Sequence, residues 1–127
     1  MSGPVSMQLD KLRERFGGAD VRPAVSGTML VTVPNVRLPD GWSKRWTTIR
    51  FIIPSGYPYA HLDCFWADAD LRLANGGQPQ NTGINPILGV ADPMLWFSWH
   101  LTAPWDPNRD TLTTWMNVVI NRLKEVR

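Results

Sequence analysis

The sequence predicts an α+β fold: an N-terminal helix, an antiparallel meander of about four strands, a long irregular loop and a C-terminal helix. Three observations carry this. Leu9, Leu12 and Phe16 recur at helical spacing near the start, and Leu112, Trp115, Met116, Val119, Ile120 and Leu123 do so near the end. Between them, β-branched and aromatic residues come in short runs punctuated by proline and glycine. From residue 67 to residue 92 all periodicity fails. Helices that flank a block of strands, rather than alternate with them, pack against an antiparallel sheet. With 127 residues, 43% of them apolar, one domain spanning 1–127 around one core is expected.

In order, Ser6 to Phe16 reads as the first helix, with Ser6 as its N-cap and Gly17-Gly18 as its stop. Asp10, Lys11, Arg13 and Glu14 take the polar side. Val21 to Val25 reads as a short strand that Pro23 confines to an edge. Thr28 to Val33 is a second strand, closed by Pro34. Pro39-Asp40-Gly41 is a turn. Trp46 to Ile53 and Leu62 to Trp66 are the next two strands. The loop over 67–92 exceeds the usual length of a connection in a compact domain, which points to a functional or a mobile segment. Leu71, Leu73, Ile84, Ile87 and Leu88 are expected to pin it to the core. Asp110 to Val126 is the last helix, with Asp110 as N-cap and Asn117, Asn121, Arg122 and Lys124 on its wet side.

Charge and residue usage narrow the function. Thirteen basic and eleven acidic residues leave a net charge of +2, without the concentrated basic stripe that nucleic acid demands. The basic residues Lys44, Arg45 and Arg50 read as solvation of a strand. No apolar run approaches the roughly 18 residues of a membrane helix. Met-Ser-Gly-Pro-Val-Ser at the start lacks the basic and apolar regions of a secretory signal, so a cytoplasmic location is expected. A single cysteine, Cys64, forms no internal disulfide and no multi-cysteine zinc site. The two histidines, His61 and His100, are too far apart for metal spacing, and neither a metal nor an organic cofactor is expected.

The densest chemistry lies from Leu95 to Asp110, where Trp96, Trp99 and Trp105 surround Ser98 and His100. On an extended chain residues i and i+2 share a face, so His100 is a candidate base or orienting group for the Ser98 hydroxyl, which is a poor nucleophile unaided. Thr102 is an alternative nucleophile. Cys64 is another, but Leu62, Phe65 and Trp66 around it suggest a buried strand cysteine. Asn81, Asn85 and Asn108 carry amides of the kind that can donate to an oxyanion. Asp110 is read as a helix cap, and Tyr57-Pro58 as a structural turn.

Phe51-Ile-Ile-Pro-Ser-Gly-Tyr-Pro58 resembles the strand and turn of ubiquitin-conjugating enzymes, and Trp105-Asp-Pro107 resembles the Trp-x-Pro that follows their active-site segment. Phe97-Ser-Trp-His100 together with Trp105 to Pro107 is similar to a bacterial branch of that superfamily, the prokaryotic ubiquitin-conjugating-like family E. The resemblance covers most of the chain. It implies the conjugating-enzyme (UBC-like) fold and a role in accepting a ubiquitin-like protein from an activating enzyme. It also implies a gene neighbourhood that adds a protease and is tied to anti-phage defence. The eukaryotic enzymes carry a cysteine eight residues before this tryptophan; here that position is Phe97. Their His-Pro-Asn segment is also missing. Ser98, one residue from the displaced position, is then the expected acyl acceptor, as an oxyester that passes to a target. A catalytically silent module that only binds the ubiquitin-like protein or its activating enzyme is the alternative.

Overall fold

The computed structural model describes residues 4–127. Helix α1 (Pro4–Arg15) is followed by β1 (Asp20–Pro23), β2 (Met29–Arg37), β3 (Trp46–Ile53), β4 (Phe65–Asp68), β5 (Thr82–Gly83), β6 (Met94–Phe97) and helix α2 (Leu112–Lys124). The strands form one antiparallel sheet in the order β1-β2-β3-β4-β6-β5. The α+β, UBC-like architecture is therefore the one the sequence predicts. The sheet has six strands rather than about four. β5 and β6 span two and four residues, too short for alternation to show in the sequence.

Strand periodicity then builds the core. Val31 pairs with Phe51 and Val33 with Ile49 across β2 and β3, and Phe65 pairs with Phe97 and Ala67 with Leu95 across β4 and β6. All eight are buried on one face of the sheet. That face meets Val5 and Leu12 of α1 and Leu112, Trp115, Met116, Val119 and Leu123 of α2 in a single cluster. Phe65 and Phe97 stack with centroids 4.6 Å apart. The opposite face carries Arg50, Trp66 and Trp96, and the chain from 84 to 92 crosses it. Trp66 donates its indole N–H to the Asn85 carbonyl at 2.7 Å, and Arg50 pairs with Asp92 at 3.4 Å.

Several boundaries differ from expectation, each for a physical reason. Ser6 lies inside α1 and is not its cap. Pro34 does not close β2: the strand runs on to Arg37 through an irregularity between Val33 and Val36, where a missing N–H is tolerated. β1 stops at Pro23, and Val25 belongs to a separate single turn. α2 begins after Thr111, not Asp110, and the Thr111 N–H donates to Thr114 Oγ1 at 3.0 Å. Ile84 and Leu88 do not pin the long loop, being 90% and 75% exposed, whereas Leu71 and Ile87 are buried and Leu73 packs on the core.

Arg122 is the largest departure. Placed on the wet side of α2 by its charge, it is 0% exposed. Its guanidinium donates to the carbonyls of Glu125 (2.7 Å), Gln80 (2.8 Å) and Arg127 (2.9 Å) and lies over the rings of Phe97 and Trp99 at 5.3 and 5.2 Å. Carbonyl acceptors and aromatic faces replace the water that a buried cation loses. Lys44, in contrast, pairs with Asp68 and Asp70 at 2.6 and 3.1 Å. Among the described residues no helix is long and apolar enough to cross a membrane.

Candidate functional site

Pairing between β4 and β6 continues past the ends of both strands and gathers the candidate residues. Beyond the Phe65–Phe97 pair, the Cys64 N–H donates to the Trp99 carbonyl at 2.9 Å. Asp63 and Cys64 therefore lie alongside the segment from Ser98 to His100. On the other flank, β5 pairs with β6, and the Ser98 N–H donates to the Asn81 carbonyl at 2.8 Å. Ser98 is the first residue after β6 and is half-buried. Its hydroxyl has no hydrogen-bond partner among the described residues.

The imidazole of His100 meets a partner that is distant in sequence. His100 Nδ1 lies 2.5 Å from Asp63 Oδ1, and both side chains are open to solvent. The Cys64 thiol points at the other oxygen of the same carboxylate, with Sγ 3.6 Å from Oδ2. Among the described residues no hydrogen bond joins His100 to Ser98 or to Cys64. One donor atom from each of Asp63, Cys64 and His100 falls within 4.8 Å of the other two. Asp63 was not singled out from the sequence; 37 residues separate it from His100, and no local pattern marks the pair.

Cys64 is not the buried strand residue its neighbours suggest. It precedes β4, is half-buried, and has φ 61°, a left-handed conformation. Successive side chains alternate on a regular strand. The turn in the backbone at Cys64 breaks that alternation and lets two consecutive side chains converge. Burial pushes the Cys64 thiol above its ordinary range, and the Asp63 carboxylate adds to this by disfavouring a second negative charge. The Trp99 backbone and the Trp96 indole act in the opposite sense.

The remaining candidates are spread around this corner. Phe97, at the position where the eukaryotic enzymes carry cysteine, points into the core. Thr102 is exposed in the turn that follows. Of the three asparagines, Asn81 is the one bonded to Ser98, whereas the Asn85 carbonyl serves Trp66 and the Asn108 N–H donates to Asp106 Oδ1 at 2.9 Å. Asp110 accepts from the Asp106 N–H at 2.8 Å, closing the turn before α2. Behind the site, Gln8 Oε1 accepts from the Tyr57 hydroxyl and, at 3.0 Å, from the Leu112 N–H, joining α1, the turn at Pro58 and the first residue of α2. The latter is one of the orphan donors of a helix start.

A family model described as prokaryotic E2 family E matches residues 18–126. No curated protein and no solved structure matches the chain.

Proposed function

The chain belongs to the prokaryotic E2 family E, and from that premise we propose that it accepts the C-terminus of a ubiquitin-like protein as an oxyester on Ser98 and passes it to a target. Membership supports a UBC-like conjugation role in general, with partners of the E2 kind, a ubiquitin-like protein and an activating enzyme. The acceptor atom is the finer step. The observation that carries it is the position of Ser98 at the end of β6, on the same corner as the Asp63–His100 pair and with its backbone tied to Asn81.

In this reading the Ser98 hydroxyl attacks the thioester carbonyl carried by the activating enzyme. A C–O bond forms, the C–S bond breaks and the thiolate leaves. His100 takes the hydroxyl proton, and Asp63 beside Nδ1 stabilises the imidazolium that results. Nucleotide is consumed by the activating enzyme, so this step needs no cofactor. Cys64 is the weaker acceptor, since burial and Asp63 hold its thiol protonated. Thr102 is a further alternative. The same resemblance extends the proposal to an operon that defends against phage; phage plating on cells carrying the operon with Ser98→Ala tests that part.

A second reading has one observation in its favour. Phe97 is buried where a nucleophile stands in the eukaryotic enzymes, as in a silent module that only binds the ubiquitin-like protein or its activating enzyme. Incubation with the ubiquitin-like partner, activating enzyme and ATP separates the two. The expected adduct survives thiol reductant, is released by hydroxylamine and disappears in Ser98→Ala. Ser98→Cys converts it to a reductant-sensitive thioester. An adduct that persists in Ser98→Ala moves the acceptor to Thr102 or Cys64. Tight non-covalent binding with no adduct makes the protein a binding module.

A further inference from the structure

We propose that Asp63, Cys64 and His100 form a binding site for a single zinc-type divalent metal ion. Three different donor elements converge there from two chain segments. His100 Nδ1 is 2.5 Å from Asp63 Oδ1, Cys64 Sγ is 3.6 Å from Asp63 Oδ2, and one donor atom of each residue lies within 4.8 Å of the others. Zinc bonds of about 2.0–2.3 Å in a tetrahedron set donors roughly 3.3–3.6 Å apart. The thiol stands at that spacing from one carboxylate oxygen, Oδ2, and the imidazole approaches the other, Oδ1. The imidazole and carboxylate need to separate by roughly an ångström on that geometry, which two exposed side chains do at little cost.

The electrostatics favour a cation at this point. The Asp63 carboxylate accepts from the Cys64 thiol, and it makes no ion pair with lysine or arginine among the described residues; its one ion-pair partner there is His100. A dication between the three groups stabilises carboxylate and thiolate together.

The geometry also separates this site from a thiol nucleophile with a histidine base. The carboxylate stands between thiol and imidazole, and no Cys64–His100 hydrogen bond forms. Thiolate with imidazole selects zinc or cobalt over magnesium or calcium, which prefer oxygen. Three protein donors leave a fourth position open to water. The scaffold is held by backbone, through the Cys64 N–H to the Trp99 carbonyl at 2.9 Å and the β4–β6 ladder next to it. A metal on Nδ1 takes the ring position that Asp63 supports when His100 acts as base, so the metal-bound and base-active forms exclude each other; the spectrum is read on the protein alone, so its outcome is distinguishable from that of the Ser98 reading.

The test is a titration of the untagged full-length chain with Co²⁺ in a non-thiol reductant. One equivalent is expected to give the intense visible bands of tetrahedral cobalt and a thiolate-to-metal charge-transfer band in the near ultraviolet. Zn²⁺ should bleach both. Cys64→Ser should abolish the charge-transfer band, and His100→Ala and Asp63→Asn should each weaken binding by at least about 10-fold. Circular dichroism and thermal melts of each variant confirm that the domain stays folded. A weak octahedral spectrum, no spectrum at all, or a charge-transfer band that survives Cys64→Ser in the folded protein overturns the proposal.

Discussion

The indole N–H of Trp105 donates to the carbonyl of Pro58 at 2.7 Å, across 47 residues. This bond ties the segment that leads into α2 to the turn after β3. Tyr57 packs on the same indole at a centroid distance of 5.9 Å, tilted by 50°. Two motifs of the family resemblance, the Tyr-Pro turn and the Trp-x-Pro, are therefore one contact in the folded chain. Replacing Trp105 by Phe keeps an aromatic ring but leaves the Pro58 carbonyl without its donor. The expected loss is about 1–2 kcal/mol, read as a lower denaturant midpoint at an unchanged slope. A midpoint equal to that of the parent protein shows that the bond adds nothing to stability.

The neighbouring phenol gives a pH dependence. Burial pushes the Tyr57 hydroxyl up to about 12 from an ordinary 10.0, with the Asp110 charge acting in the same direction and the bond to Gln8 against it. The folded chain holds this proton more tightly than the unfolded one. Its contribution to stability is complete below pH 10 and is lost as pH rises toward 12. Ultraviolet titration is expected to show a phenol ionising near pH 12 that vanishes in Tyr57→Phe. Stability of that variant should fall less steeply over this range; parallel pH profiles for the two proteins contradict the assignment.

Arg122 is expected to be a stability residue and not a surface charge. Arg122→Met keeps the apolar stem but strips the carbonyls of Gln80, Glu125 and Arg127 of their donor. The loss should reach about 3 kcal/mol or more, since several buried acceptors go unpaired at once. Equilibrium denaturation measures it. A change within about 0.5 kcal/mol, the range of ordinary surface substitutions, would place the guanidinium in water.

Cys64 should alkylate slowly in the metal-free protein. Its thiol is raised by burial and further by Asp63, so little thiolate is present near neutral pH. The iodoacetamide rate is expected to lie below that of a free cysteine and to climb with pH beyond the ordinary thiol range. Asp63→Asn removes the neighbouring charge and should speed the reaction. An unchanged rate in Asp63→Asn means that the carboxylate does not act on the sulfur.

Much of this was legible along the chain because it is periodic. The stripe from Leu112 to Leu123 and the run from Trp46 to Ile53 repeat with the period of the structure they form, and both lie where that period puts them. The Pro58 and Trp105 motifs carried the family in the same local way, and the family model spans them. Tertiary structure decided what no window of sequence contains. β5 and β6 are strands because of the neighbours they pair with. Arg122 is buried because the distant Gln80 carbonyl and the rings of Phe97 and Trp99 join the nearby Glu125 and Arg127 carbonyls in replacing its water. Asp63 joins His100 because ladder pairing and a left-handed residue at Cys64 turn distant side chains toward one point. Periodicity reports which face of an element is apolar, whereas a polar cluster depends on which elements become neighbours, and long-range pairing alone sets that.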